Sequence, residues 1–274
     1  MSGTRVRRLR LGRLHVDDLT FEGALDAVVR LVEGGQGGTV FTPNVDHVVL
    51  AEHDERFRRA YEATRLSLAD GMPVVWAARR LGLPGLQKIS GSDLVLPLVE
   101  RVAARGLGVF LCGGAPGVAE EVARRLRARF PALRVVGVAS PSIDMDGPAE
   151  ARQALVAEIR ATRPDLVLVA LGSPKGELFA HEASPSLAPA LVIGVGASFD
   201  FIAGTARRAP GWMSAWGLEW LFRLVHEPGR LWRRYLLRDP QFLAILWRTW
   251  RAKGTSPRDE ADAGGPVDSP RATR

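Results

Sequence analysis

The stretch LGVFLCGGAPGVAEEVARRLRARFPALRVVGV, residues 107–138, decides the fold. Leu107–Cys112 is a short apolar run, as in a strand buried on both faces, and it stops at Gly113-Gly114. From Pro116 to Arg129 the apolar residues fall at helical spacing, and Arg134–Val138 is apolar again. Strand, glycine turn, helix and strand make one βαβ unit with parallel strands. The pattern continues through a helix over Pro148–Thr162, a strand over Leu166–Leu171, a helix over Lys175–His181 and a strand over Ala190–Val195. Apolar strands alternating with helices predict an α/β fold: a doubly wound, mostly parallel, Rossmann-like sheet.

Upstream, the alternation in Val6–Val16 predicts a short hairpin. Asp17 or Thr20 caps an amphipathic helix that ends at Gly34 or Gly35. Gly38–Thr42 is a strand running into Pro43, Asn44 and a helix over Val45–Glu52. Ser67–Ala69 is a short strand closing at Asp70-Gly71, with helices over Pro73–Leu81 and Ser92–Arg105 after it.

In an open parallel sheet ligands bind beyond the carboxyl ends of the strands. Those ends read TPN (42–44), ADG (69–71), CGG (112–114), LGSPKGE (171–177) and GVGASFD (194–200), and they converge on one rim. Gly113-Gly114 lets a phosphate or sugar approach backbone N–H groups at a helix start, or it is simply a tight turn. Asp70 is placed to act as a general base whose pKa a dry cleft would raise, although Asp-Gly is also a common turn dipeptide. Thr42 and Asn44 are either rim donors and acceptors or the cap of the next helix. Asp144-Met145-Asp146 has the form of an Asp-x-Asp metal pair, but its place before Gly147-Pro148 favours Asp146 as part of a helix N-terminus. His15, His47, His53, His181 and His226 show no metal-ligand spacing, and no Ser/His/Asp arrangement stands out.

Composition sets the wider frame. With 274 residues, 46% hydrophobic and 24% charged, the chain supports a real core and is not predominantly disordered. Its net charge is +7, and Phe201–Lys253, with ten Lys/Arg and three Asp/Glu, carries all of that excess. Six of the seven tryptophans lie there as well: Trp212, Trp216, Trp220, Trp232, Trp247 and Trp250. The first three, at i, i+4 and i+8, are expected on one helical face. Such a segment suits an anionic, partly apolar partner such as a membrane surface, or else packs its tryptophans on the core and solvates its arginines. The expected organisation is a catalytic core over 1–200, with halves of about 1–105 and 106–200, a basic appendage over 201–253 and a disordered tail over 254–274.

Cys112 is the only cysteine, which excludes a disulfide framework and a cysteine zinc site and makes a reducing cytoplasm the default. The basic N-terminus has no apolar signal region. The longest uncharged stretch, 183–199, is broken by Pro185, Pro189, Gly194 and Gly196, so no spanning helix is expected. A nicotinamide oxidoreductase would share the sheet, yet Gly-x-Gly-x-x-Gly is absent. A nucleic-acid-binding protein would share the basic segment, yet no reader motif is present, and no nucleic-acid partner is expected.

Taken in order, TPNVDHVVLA (42–51), LADGMPVVWAARRLG (68–82), KISGSDL (88–94), VFLCGGAPGVAEEVA (109–123), RPDLVLVALGSPKGE (163–177), GVGASFDFIAGTARRAP (194–210) and GLEWLFRLVHEPGRLWRR (217–234) resemble the WecG/TagA/CpsF family of bacterial glycosyltransferases. The resemblance implies an inverting transferase without cofactor or metal. It would move N-acetylmannosamine or a related sugar from a UDP-sugar to N-acetylglucosamine on undecaprenyl diphosphate. Glucose or a uronic acid are the alternative donor sugars, and the place of work is the inner face of the plasma membrane. It implies Asp70 as the base and Thr42, Asn44 and Lys88 in the acceptor and sugar pocket. Gly113, Gly114, Gly172, Lys175, Glu177, Gly196 and Asp200 fall on the donor side, and Arg223, Arg230 and Arg233 on the diphosphate. Two positions depart from the family pattern: Gly176 stands where Gln is common, and Lys88 where Arg is common, which keeps the charge but not the bidentate fork. Oligomeric state is left open.

Overall fold

The computed structural model describes residues 6–255. Six strands form one parallel sheet: β3 (Gly38–Phe41), β4 (Leu66–Ser67), β5 (Gly108–Gly113), β6 (Arg134–Ala139), β7 (Leu166–Ala170) and β8 (Leu191–Gly194), in the order β4-β3-β8-β7-β5-β6. A separate antiparallel hairpin, β1 (Arg8–Leu11) and β2 (Leu14–Asp17), precedes them. Strand residues sort alternately to two cores. Val167, Val169 and Val192 face one cluster, while Leu166, Leu168, Leu191 and Ile193 face the other. Both faces of the sheet are therefore covered by helices, the arrangement that continuous Val/Leu/Ile strands require.

The helices between the strands are α1 (Phe21–Glu33), α2 (Val45–His53), α3 (Glu55–Glu62), α4 (Met72–Arg80), α5 (Gly91–Ala103), α6 (Val118–Arg129), α7 (Ala149–Ala161), α8 (Lys175–Leu187) and α9 (Ser198–Ala203). Thr20 caps α1 by accepting from the Gly23 N–H at 3.1 Å, which selects it over Asp17 as the start. Asp17 is instead buried, ion-paired with Arg8 at 2.6 Å and accepting from the Ser67 N–H at 2.8 Å, so the hairpin closes the β4 edge. The sequence reading did not anticipate α3. Its charged surface carries only Phe57, Ala60 and Tyr61 inward, and Asp54 caps it. Asp146 does not cap α7, which starts after Pro148 without a side-chain cap. It pairs with Arg56 at 2.8 Å, because the intervening Gly147-Pro148 carries it away from the first turn.

Beyond Ala203 the chain forms α10 (Gly211–Ala215), α11 (Glu219–His226), α12 (Pro228–Arg233), a π-helical turn (Arg234–Arg238) and α13 (Gln241–Thr255). Trp212, Trp216 and Trp220 do not share one helical face: Gly217, at φ +69°, breaks the helix between α10 and α11. The return helix α13 packs on α2 and β1, with Phe242 and Ile245 in the core and the Gly12 N–H donating to Thr249 Oγ1 at 3.1 Å. The tail expected to be disordered lies, from residue 256 on, outside the described residues.

Candidate active site

The carboxyl ends of β3, β4, β7 and β8 form the floor of a 760 Å³ cleft, and the helices after Ala203 form its opposite wall. Thr42 and Asn44 enter it from the β3–α2 turn, Asp70 from just beyond β4, Gly172 from the β7–α8 turn, Glu177 from the first turn of α8, Gly196 from the β8–α9 turn and Asp200 from α9. Arg223 faces them from α11. Eight of the fourteen residues singled out from the sequence thus meet in one cleft.

Asp70 is positioned by its backbone. Its N–H donates to the Pro43 carbonyl at 2.9 Å, the Ile89 N–H donates to the Ala69 carbonyl at 2.8 Å, and Gly71 turns the chain at φ +88°. The carboxyl lines the cleft but is otherwise enclosed by protein. Burial first, and Glu219 second, push its pKa up to about 7, against the pull of Lys88 and Arg223. A carboxylate poised there can take a proton near neutral pH.

Lys88 stands just outside the cleft lining and reaches the site through a relay. Its Nζ donates to Ser214 Oγ at 2.8 Å and lies 3.5 Å from Asp93, while Ser214 Oγ donates to Glu219 at 3.2 Å. This chain ties the core loop to the far wall beside Asp70.

On the β3 side, Asn44 Oδ1 caps α2 by accepting from the His47 N–H at 3.3 Å and also accepts from Arg234 Nη2 at 3.2 Å. Asp46, in the first turn of α2, is buried and pairs with both Arg234, at 3.3 Å, and Arg238. The π turn brings these two arginines to one carboxylate. Below them His47 is held neutral, its pKa lowered to about 3 by burial and then by Arg234 and Arg238, with Nδ1 2.7 Å from the Tyr61 hydroxyl. Glu177 is buried beside it, its carboxyl 3.9 Å from His47 Nε2 and pushed up to about 7, chiefly by burial. A half-neutralised carboxyl on the cleft floor can both donate and accept.

Several expected residues are not brought into the cleft lining. Gly113 and Gly114 serve the sheet: a side chain at Gly113 would sit 2.5 Å from the Ala170 backbone, and the Gly114 N–H is committed to the Ala170 carbonyl at 3.0 Å. The Gly114 amide is thus already used within the sheet, and Ala115 and Val118 line the cleft. Lys175 is exposed on the outer side of α8. Arg233 is exposed and lies over the Trp232 ring at 5.3 Å. The side chain of Arg230 is outside the described residues.

Conversely, Asp46, His47, Arg234, Arg238 and Glu219 were not singled out for this site. Asp46 reads as an ordinary acid in a helix first turn, and Arg234 and Arg238 as two more positives in a basic run. The available signal was the acid following Thr-Pro-Asn together with two arginines four apart. Among the described residues no group of three His, Cys, Asp or Glu is assembled for a metal.

A second cleft, of 510 Å³, opens from the first. The two share Asn44, Asp70, Glu219, Arg223 and Arg234 as a common wall. Beyond that wall the surfaces differ, one rich in Ser, Thr and Gly, the other in Met, Pro, Trp and Leu.

A protein of Bacillus spizizenii described as N-acetylglucosaminyldiphosphoundecaprenol N-acetyl-beta-D-mannosaminyltransferase is 30% identical over 221 residues, 81% of this chain and 83% of its own length. The family model described as "Glycosyl transferase WecG/TagA/CpsF family" matches residues 9–256, which takes in every element of the sheet and the helices that follow it. The chain belongs to the WecG/TagA/CpsF family of glycosyltransferases.

Proposed function

We propose that this chain moves N-acetylmannosamine, or a closely related sugar, from a UDP-sugar to the 4-hydroxyl of N-acetylglucosamine on undecaprenyl diphosphate, in the synthesis of a cell-surface polymer. The similarity to the Bacillus spizizenii transferase supports the substrate classes. The observation that carries the mechanism is Asp70, a carboxyl poised near neutrality at the junction of the two clefts.

In this reading Asp70 takes the proton of the acceptor hydroxyl as its oxygen bonds to the anomeric carbon. The bond from that carbon to the diphosphate breaks, and UDP leaves with the electron pair. Inversion follows from the single displacement. Arg223 and Arg234, both facing the shared wall, stabilise the charge that develops on the diphosphate. Thr42 and Asn44 orient the sugar, with Glu177, Gly172, Gly196 and Asp200 on the donor side. Lys88 acts at one remove, through Ser214 and Glu219.

No helix among the described residues is long and apolar enough to cross a membrane. Trp212, Trp216, Trp232, Trp247 and Trp250 are all exposed on the basic C-terminal helices, which supports a peripheral seat on an anionic membrane surface.

The test is a panel of UDP-sugars assayed against a lipid-diphosphate N-acetylglucosamine, with Asp70→Asn alongside. Transfer from one UDP-sugar, its loss in Asp70→Asn and unchanged protection of the fold by UDP are the expected results. Full turnover in Asp70→Asn would remove the assigned role.

A further inference from the structure

The second cleft has a composition that the transfer chemistry does not use. Met72 and Pro73 of α4, Trp220 of α11, Leu236 of the π turn, and Phe242 and Leu243 of α13 make it mainly apolar away from the shared wall, where Ser214, Tyr235 and Asp239 are its remaining polar residues. Trp220 and Tyr235 brace it with an edge-to-face contact, ring centroids 6.0 Å apart. Its polar groups lie mainly at that wall, where Asn44, Asp70, Glu219, Arg223 and Arg234 divide it from the polar cleft.

Its outer rim is equally informative. Leu236 and Leu243 line the cleft and yet are 55% and 70% exposed, so the cleft opens between them. From Leu243 an exposed apolar stripe runs along α13 through Trp247 and Trp250, at i, i+4 and i+7, with Leu237 and Trp232 beside it. An open apolar channel thus begins at the reacting carboxyl, passes two arginines, and ends in the surface of the molecule most suited to lipid.

We infer that the apolar cleft is the seat of the first isoprene units of the acceptor, whose chain leaves between Leu236 and Leu243 while its sugar reaches Asp70 at the shared wall. This rests on the transfer reading given above and adds to it a binding site for hydrocarbon. The occupant follows from the order of chemistry along the channel. An acceptor sugar must meet Asp70, and the hydrocarbon that follows it meets Met72, Trp220 and Phe242 on the apolar side of the same wall. A second copy of the chain or a free fatty acid would use the apolar part but would leave the juxtaposition of base, cations and channel without a reason.

The inference predicts that the protein measures the hydrocarbon next to the diphosphate even without a membrane. Methyl, geranyl and farnesyl esters of N-acetylglucosamine diphosphate are assayed in detergent-free buffer with the full chain, below the concentration at which the esters aggregate. KM is expected to fall by about tenfold or more from methyl to farnesyl, since several methylene-sized groups leave water. In Leu236→Glu and Leu243→Glu, both on the exposed rim and so tolerant of a polar residue, the ratio of the two KM values should shrink to within about threefold. A benzophenone placed at the end of the geranyl chain should crosslink to Met72, Trp220 or Leu243. Equal KM values for methyl and farnesyl esters, or crosslinks confined to Trp247 and Trp250, would overturn the apolar seat while leaving the transfer reading intact. No transfer to any of the three esters, nor to the full lipid, would overturn both.

Discussion

The two walls of the active cleft are built by opposite means. The floor rests on strands that are almost wholly buried: every residue of β4, β7 and β8 is inside, and the polar groups beyond them are fixed by backbone hydrogen bonds such as that from Asp70 to Pro43. The facing wall is the reverse. Neither α10 nor α11 has a buried residue, and the wall is held by Leu231, Phe242 and Ile245 together with a few charged links, Lys88 to Ser214, Arg208 to Asp93, and Arg234 and Arg238 to Asp46. The lesson is one of division of labour. A rigid sheet places Asp70, the proposed base, and a lightly attached wall supplies the arginines proposed to meet the diphosphate, so the cleft is complete only while the second is docked on the first.

The largest effect is expected at Asp70. Replacing it by Asn is expected to lower kcat by about 10²–10⁴-fold while circular dichroism and UDP protection are unchanged. A matching loss of fold would mean that the floor is less rigid than its hydrogen bonds indicate. Next in size is Asp46→Ala, which leaves Arg234 and Arg238 facing each other without their carboxylate and costs about 3 kcal/mol of docking. Limited proteolysis should then cut between residues 205 and 240 while the sheet stays protected, and kcat/KM should fall. Equal protection of both regions in the variant would show that the charged clamp does not hold the wall.

The pH dependence sharpens the same contrast. With the Asp70 pKa near 7, kcat/KM should rise as pH increases through 7 and level off above it. Glu219→Gln removes the appendage charge that helps to raise Asp70, so the acid limb should move to lower pH by up to about 1 unit. Stability runs the other way. Asp70 and Glu177 hold protons more tightly folded than unfolded, so the native state binds more protons between about pH 4 and 7, and stability falls as pH rises across that window. Thermal melts of Asp70→Asn against the parent chain from pH 4 to 8 should show the variant gaining most at pH 8. The smallest effect is expected at Trp247→Gln, which should weaken partitioning onto anionic vesicles by roughly 1–2 kcal/mol and leave transfer to a methyl-ester acceptor unaltered.

Much of this was legible in the chain. The apolar runs at 107–112, 166–171 and 190–195 became β5, β7 and β8 within one or two residues, because strands buried on both faces admit little else. Thr42, Asn44, Asp70, Glu177 and Asp200 were found by asking which polar residues end strands. The misses have equally specific causes. Gly113-Gly114 was expected to face a phosphate, but neither residue lines the cleft: Gly113 answers the close passage of Ala170, 57 residues away in the chain, and Gly114 that of Val118. The tryptophans at 212, 216 and 220 had helical spacing, but Gly217 supplies a positive φ that spacing does not reveal.

The chain read locally specifies the parallel sheet, the rim at which the cleft opens, and the concentration of charge and tryptophan after residue 200. These depend on periodicity and composition, which are local. Which positive charges line the cleft depends on the tertiary structure. Arg223 and Arg234 reach the wall, while Arg233, one residue from Arg234, faces outward over Trp232. It also decided that Asp46 is the anchor for two arginines nearly 190 residues away, and that a polar cleft and an apolar one meet at Asp70. The reason is that a charge acts through distance and desolvation, and both are set by the packing of remote segments, not by the neighbours a residue has along the chain.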